Sequence, residues 1–173
     1  SIYLTGVIKG ESPDGEFFSI TQGDPPKAVS SRVPFSRGGV SVFVLKMQEG
    51  NNQWNTRWFS KLEAIQVENP ALAFVQKSGV PSLMLAATLK THFKTMVYSD
   101  GTNEVESEGL QDNTPYVILY PINQVTGAPD VGNPTFVAAG DPNARVTSMK
   151  YFLDVNKKTN NLAITGVFQK LLT

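Results

Sequence analysis

"VSVFVLKM", Val40 to Met47, is apolar on both of its period-two faces. Val40, Val42 and Val44 fall on one face, and Phe43 and Leu45 on the other. The run is short and rich in β-branched residues. It is bounded by Gly38-Gly39 before it and by Gln48-Glu49-Gly50-Asn51-Asn52 after it. Those features describe a strand covered on both sides, central in a sheet or sandwiched between layers.

The same period continues outward in both directions. Upstream, "IYLTGVIK" (2–9) is a strand, "SPDG" (12–15) a turn and "EFFSIT" (16–21) a return strand. "QGDPPK" (22–27) is a loop, and "AVSSRVPF" (28–35) reads as an edge strand, where a proline that cannot donate to a ladder is tolerated. Downstream, "QWNTRWFSKLEAIQV" (53–67) is a long strand expected to bend near Ser60. "SLMLAATLKTHFKTMVYS" (82–99) is one strand or two, and Asp100-Gly101 is the clearest hairpin signal in the chain. "YVILYPI" (116–122) reads as a buried strand. "ARVTSMKYFLDV" (144–155) and "LAITGVFQKLL" (162–172) follow, joined by "NKKTNN". The first and last strands share a pattern, "YLTGVIK" beside "AITGVFQK". This suggests two apolar strands close in space, each with a glycine where its sheet bends.

One segment carries helix signals instead. Asn69 is a fair N-cap, Pro70 suits the first helical position, and Gly79 is a C-cap after "ALAFVQKS". The expectation is therefore a mainly β fold, an antiparallel β-sandwich or small barrel with one short helix near residues 70–78. It is a single domain, 1–173, with a loop or hairpin insertion around 99–143.

Composition narrows the function classes. Lys+Arg 15 balances Asp+Glu 15, so no general electrostatic pull on nucleic acid or an anionic membrane is expected. There is no cysteine, which excludes disulfides, zinc–thiolate sites and thiol nucleophiles. No apolar run is long enough for a membrane-spanning helix. No charged region precedes a long apolar run at the N-terminus. The expectation is cytoplasmic synthesis, with any export or assembly proceeding without a conventional signal peptide.

Residues that carry chemistry are sparse. His92 is the only histidine, and no serine sits in a nucleophile elbow. Glu104, Glu106 and Glu108 are spaced along one strand face, where like charges repel; a glycosidase pair faces itself across a cleft. "DGTNEVE" lacks the alternating acids and central glycine of a calcium loop. "KGES" (9–12) has one glycine and a strand on either side, unlike a phosphate cradle. No catalytic set, metal site or cofactor is expected.

Two surface features remain. Trp54 and Trp58, four apart on a strand, are expected to share a face. Either both rings pack on the core, or an exposed pair makes a candidate ligand platform, most simply for a glycan, with Asn52 as a flanking polar partner and Arg57 projecting from the other face. Charge is also segregated: Asp100, Glu104, Glu106 and Glu108 lie in an acidic stretch, and Lys150, Lys157 and Lys158 in a basic one. These are candidate complementary faces for stacking copies of the chain.

The stretch Ile8-Lys9-Gly10-Glu11-Ser12-Pro13-Asp14, following a short first strand, resembles the start of haemolysin-coregulated proteins, the inner-tube subunits of type VI secretion systems. Fainter echoes are Phe59-Ser60-Lys61, then Asn69-Pro70-Ala71-Leu72 and Ser78-Gly79, and the late "ARVTSMKYFLDV". The resemblance implies a small barrel or two-sheet sandwich with one helix, a hexameric ring that stacks into a tube, no catalysis and no cofactor. The functional expectation is a non-catalytic structural or assembly protein, a homo-oligomer built through β-rich surfaces like a subunit of a secretion or phage-tail-like apparatus. The alternative is a β-sandwich binding module for carbohydrate.

Overall fold

The computed structural model describes residues 1–9, 17–18, 21–22, 27–28, 33–34, 39–51, 53–77, 80–90, 95–99, 103–106, 114–129, 135–139, 143–154 and 159–167. Its strands are β1 (Ile2–Lys9), four two-residue strands β2 (Phe17–Phe18), β3 (Thr21–Gln22), β4 (Lys27–Ala28) and β5 (Val33–Pro34), then β6 (Val40–Gly50), β7 (Gln53–Ala64), β8 (Gln66–Lys77) and β9 (Val80–Lys90). The later strands are β10 (Thr95–Ser99), β11 (Asn103–Glu106), β12 (Pro115–Asn123), β13 (Thr135–Ala139), β14 (Arg145–Asp154) and β15 (Thr159–Val167). The described part of the chain is mainly β, and its strand pairs are antiparallel.

Three layers follow from the side-chain alternation. A five-stranded sheet runs β1-β6-β7-β10-β11, and a four-stranded sheet runs β13-β12-β9-β8. Between them lies the larger core. Val42, Val44, Trp58, Leu62 and Ala64 come from the first sheet; Leu83, Leu85, Leu89, Ile118, Tyr120 and Ile122 come from the second. The β14–β15 pair forms a third layer on the other face of the four-stranded sheet. A second core there joins Ala73, Ala86 and Val117 to Ala144, Val146 and Met149. β9 and β12 are thus apolar on both faces because both faces are covered, which is why "SLMLAATL" and "YVILYPI" show no polar alternation. Val40–Met47 forms most of β6, with β1 on one side and β7 on the other.

The long run from residue 53 to 77 turns from one sheet into the other. The break falls at Ile65, not near Ser60. Its N–H donates to the Lys90 carbonyl at 2.8 Å, which fixes the corner. The run 82–99 also divides: β9 ends at Lys90, and β10 belongs to the other sheet. β10 and β11 form the hairpin that Asp100-Gly101 signals, with Tyr98 opposite Asn103.

The helix expected near residues 70–78 is replaced by strand β8 through Lys77, and no helix occurs among the described residues. Asn69 adopts a left-handed φ of 46°, and the pairing with β9 shifts register between Glu68 and Ala71. Asn69-Pro70 therefore builds a β-bulge. Asn tolerates positive φ, and Pro, lacking an N–H, is accommodated at a bulge in an edge strand. The first and last strands fall in different sheets, β1 beside β6 and β15 beside β14. Gly6 lies directly across from Phe43, and a Cβ there would meet that ring at 2.8 Å; close ring packing accounts for this glycine. Within the stretch expected to be an insertion, residues 115–123 form β12, a strand of the main core.

Candidate functional site

The β6–β7 hairpin is longer than its neighbours in the sheet. β1 pairs with β6 only as far as Met47, and β10 pairs with β7 only from Phe59 onward. Residues 48–57 therefore project beyond the sheet as a two-stranded ribbon, turning at Asn51, which has φ 53°. At the base of this ribbon the register slips, Trp58 opposing Lys46 and Thr56 opposing Met47. Cross-strand partners share a face, so the slip sends Trp54 to the outer face while Trp58 stays on the inner one.

Trp58 is 5% exposed and belongs to the main core. Its Nε1–H donates to the Gln124 carbonyl at 3.1 Å, and Lys46 Nζ donates to the same oxygen at 2.8 Å. Ser60 Oγ donates to the Gly127 carbonyl. The turn after β12 is thereby clamped onto the first sheet and closes that end of the sandwich. Gly127 has φ 80°, and a Cβ on it would lie 2.7 Å from the Trp58 ring. Trp54 is 40% exposed. Arg57, also exposed, donates from Nε to Gln48 Oε1 at 3.1 Å across the ribbon. The structure separates the two tryptophan rings, so they do not form one shared platform. Asn52 lies outside the described residues.

Around Tyr3 the surface is apolar. The Tyr3 ring sits 5.9 Å from Trp58 and 5.0 Å, edge-on, from Phe74, and the Lys46 ammonium lies 5.6 Å from its centroid. Phe74 on β8 is 53% exposed, and Ile2 and Leu4 on β1 are exposed as well. A cleft of about 330 Å³ opens between the start of β1 and the middle of β8, lined by Tyr3, Leu72, Phe74 and Leu83 among others. β1 and β8 are each the outermost strand of their sheet, so this apolar cleft lies between two sheet edges. Sequence reasoning missed the cleft, because nothing local brings residue 3 to residue 74.

The charged candidates divide by layer. Glu104 and Glu106 lie on β11, the edge of the five-stranded sheet opposite β1. Lys150 is exposed on β14, in the third layer. Asp100, Glu108, Lys157, Lys158 and His92 lie outside the described residues, as does the "KGES" stretch beyond Lys9. One ionic feature carried no sequence signal: Lys61 and Glu63 form an ion pair at 3.1 Å, with side chains only 1% and 2% exposed. They face away from the main core, opposite Phe43 and Ser41.

Comparison of the chain with protein-family models, with curated proteins and with solved structures finds no match.

Proposed function

We propose that this chain is a non-catalytic assembly protein that self-associates through its sheet edges, in the manner of a ring or tube subunit of a secretion or phage-tail-like apparatus. The observation that carries the reading is β1. It is an eight-residue strand at the edge of its sheet, with Ile2 and Leu4 exposed and its only charge at Lys9. A long, apolar, uncharged edge is a template for another strand, and natural proteins otherwise blunt such edges with charge, proline or bulges. The exposed Phe74 beside it extends the apolar area that a partner would cover. The partner class is a second copy of the chain, and the complementary charges of β11 and the third layer would orient successive copies. The "IKGES" resemblance to tube subunits belongs to the same reading.

The test is mass in solution, by light scattering after gel filtration over a range of concentration and salt. The expected result is a species several times the 18.9 kDa protomer. A protomer-sized species at every concentration would overturn the reading.

The exposed ring of Trp54, on a ribbon that also carries Arg57 and Asn55, supports carbohydrate binding as a second reading. A glycan screen in which one ligand binds and Trp54→Ala abolishes binding would favour it. No binding to any glycan, in protein that associates, would leave the assembly reading alone.

A further inference from the structure

Register turns Leu72, Phe74, Leu83 and Leu85 to one face of the four-stranded sheet, since Leu72 opposes Leu85 and Phe74 opposes Leu83. That face packs on the five-stranded sheet. Leu83 and Leu85 belong to the main core, and Leu72 packs against it. Phe74 therefore faces the core by register, yet it is 53% exposed, while Leu83 directly across from it is fully buried. The space between the two sheets is filled over Leu83 and open over Phe74.

The opening is the cleft of about 330 Å³. Leu72 and Leu83 make its floor continuous with the main core. Its walls are aromatic. Tyr3 and Trp58 both oppose Lys46, so they share the inner face of the first sheet. Trp58, Tyr3 and Phe74 form a series of rings with centroids 5.9 and 5.0 Å apart, the second contact edge-on. The series ends in the cleft, and every side chain that lines the cleft is uncharged.

These features define the chemistry of an occupant. An ion would give up its hydration with no lining charge to meet it, so the occupant is neutral. An alkyl chain gains only the burial of its area. A ring gains that burial and also aromatic contact with Phe74 and Tyr3. A closed apolar cavity of about 150 Å³ holds one benzene ring, so an open cleft of this volume suits a fused pair of rings. β1 and β8 are the outermost strands of their sheets, and the backbone groups of such edges can meet a single N–H or O–H on the ligand.

We propose that the cleft between β1 and β8 is a binding site for a small neutral aromatic molecule, of the size of two fused rings with one hydrogen-bonding group. The site goes beyond the self-association reading and is complete within one protomer. A copy that covers Phe74 competes with the ligand for it.

Indole is the probe, and binding to the full chain is followed by saturation-transfer NMR and equilibrium dialysis. Wild type is measured beside Leu4→Lys, whose side chain does not line the cleft and whose charge opposes a covering copy. The expected result is saturable binding of one indole per protomer. Phe74→Leu keeps an apolar side chain and removes the ring, and should weaken binding about threefold or more. Tyr3→Leu should do the same from the other wall. Trp54→Leu removes the exposed ring of the ribbon and should leave binding unchanged. No saturable binding in either wild type or Leu4→Lys overturns the proposal. So does binding that Trp54→Leu weakens and both cleft variants leave intact. Octanol bound as tightly as indole, with no effect of Phe74→Leu on either, overturns the aromatic assignment and gives the cleft to an alkyl chain.

Discussion

Individual residues in this fold are constrained on both faces of the five-stranded sheet. Lys61 and Glu63 are two apart on β7, so they share a face, and both are removed from water. Removing one partner takes the ion pair from a charge that stays buried. Lys61→Met or Glu63→Leu alone is expected to cost up to about 3–5 kcal/mol, and the double change less than the sum of the two, because the second change no longer breaks the pair. Urea unfolding of the four proteins measures this, and additive single effects would show that the pair is not coupled. Gly127 is constrained in two ways, by φ 80° and by the Trp58 ring 2.7 Å from any added Cβ. Gly127→Ala is expected to lose about 2–5 kcal/mol, combining left-handed strain with overpacking. Near-ultraviolet circular dichroism should report the disturbed Trp58. An unchanged spectrum and midpoint would mean that the clamp between the turn and the first sheet is not as described.

At the scale of elements, β8 is the instructive strand. Asn69 and Pro70 satisfy helix-start rules, and the same two residues satisfy the rules for a bulge: one tolerates positive φ and the other needs no N–H. What decides is the residues that follow. Ala71-Leu72-Ala73-Phe74 alternates small and large with period two, Leu72 packing on the main core and Ala73 lying in the second. That alternation is present in the sequence, although the signals at the two ends of the segment, taken alone, point to a helix. Asn69→Val tests the bulge. A β-branched residue forced to φ 46° should cost about 1–2 kcal/mol, whereas at an ordinary strand position Val would be neutral or stabilising. A raised melting midpoint would therefore remove the bulge. Strand existence elsewhere was readable because apolar periodicity reflects burial directly. Val40–Met47 and "YVILYPI" are legible in this way, and the β10–β11 hairpin from its Asp-Gly turn signal. Registers were not readable. The slip at the base of the ribbon that parts Trp54 from Trp58 arises from an unequal number of residues on paired strands, and no count along one strand detects it. The Tyr3–Phe74 contact was hidden for a related reason, since residues 71 apart meet only once both sheets are assembled.

At the scale of the whole molecule, the two sheet edges beside the apolar cleft are not equivalent. β8 carries the features that discourage strand addition: a bulge, a proline, and the charges of Glu68 and Lys77. β1 has none of these between Ile2 and Ile8. If copies add through an edge, β1 is the one open to it. Leu4 provides the means to test this, because it is 45% exposed and sits mid-strand on the outer face. Leu4→Lys puts a charge where natural edge strands carry one. It should shift monomer stability by no more than about 0.5 kcal/mol, since little burial is lost. Its effect on association should be much larger, because a partner strand would have to cover the ammonium or lose its contacts. We expect the concentration needed for half-association to rise at least about tenfold, a penalty near 1.4 kcal/mol. The same change at an exposed β14 position, Ser148→Lys, should leave association through β1 intact. Light scattering on the three proteins separates the outcomes. A selective loss in Leu4→Lys assigns the edge, equal loss in both variants points to overall charge, and no loss in either means that copies meet elsewhere than along β1.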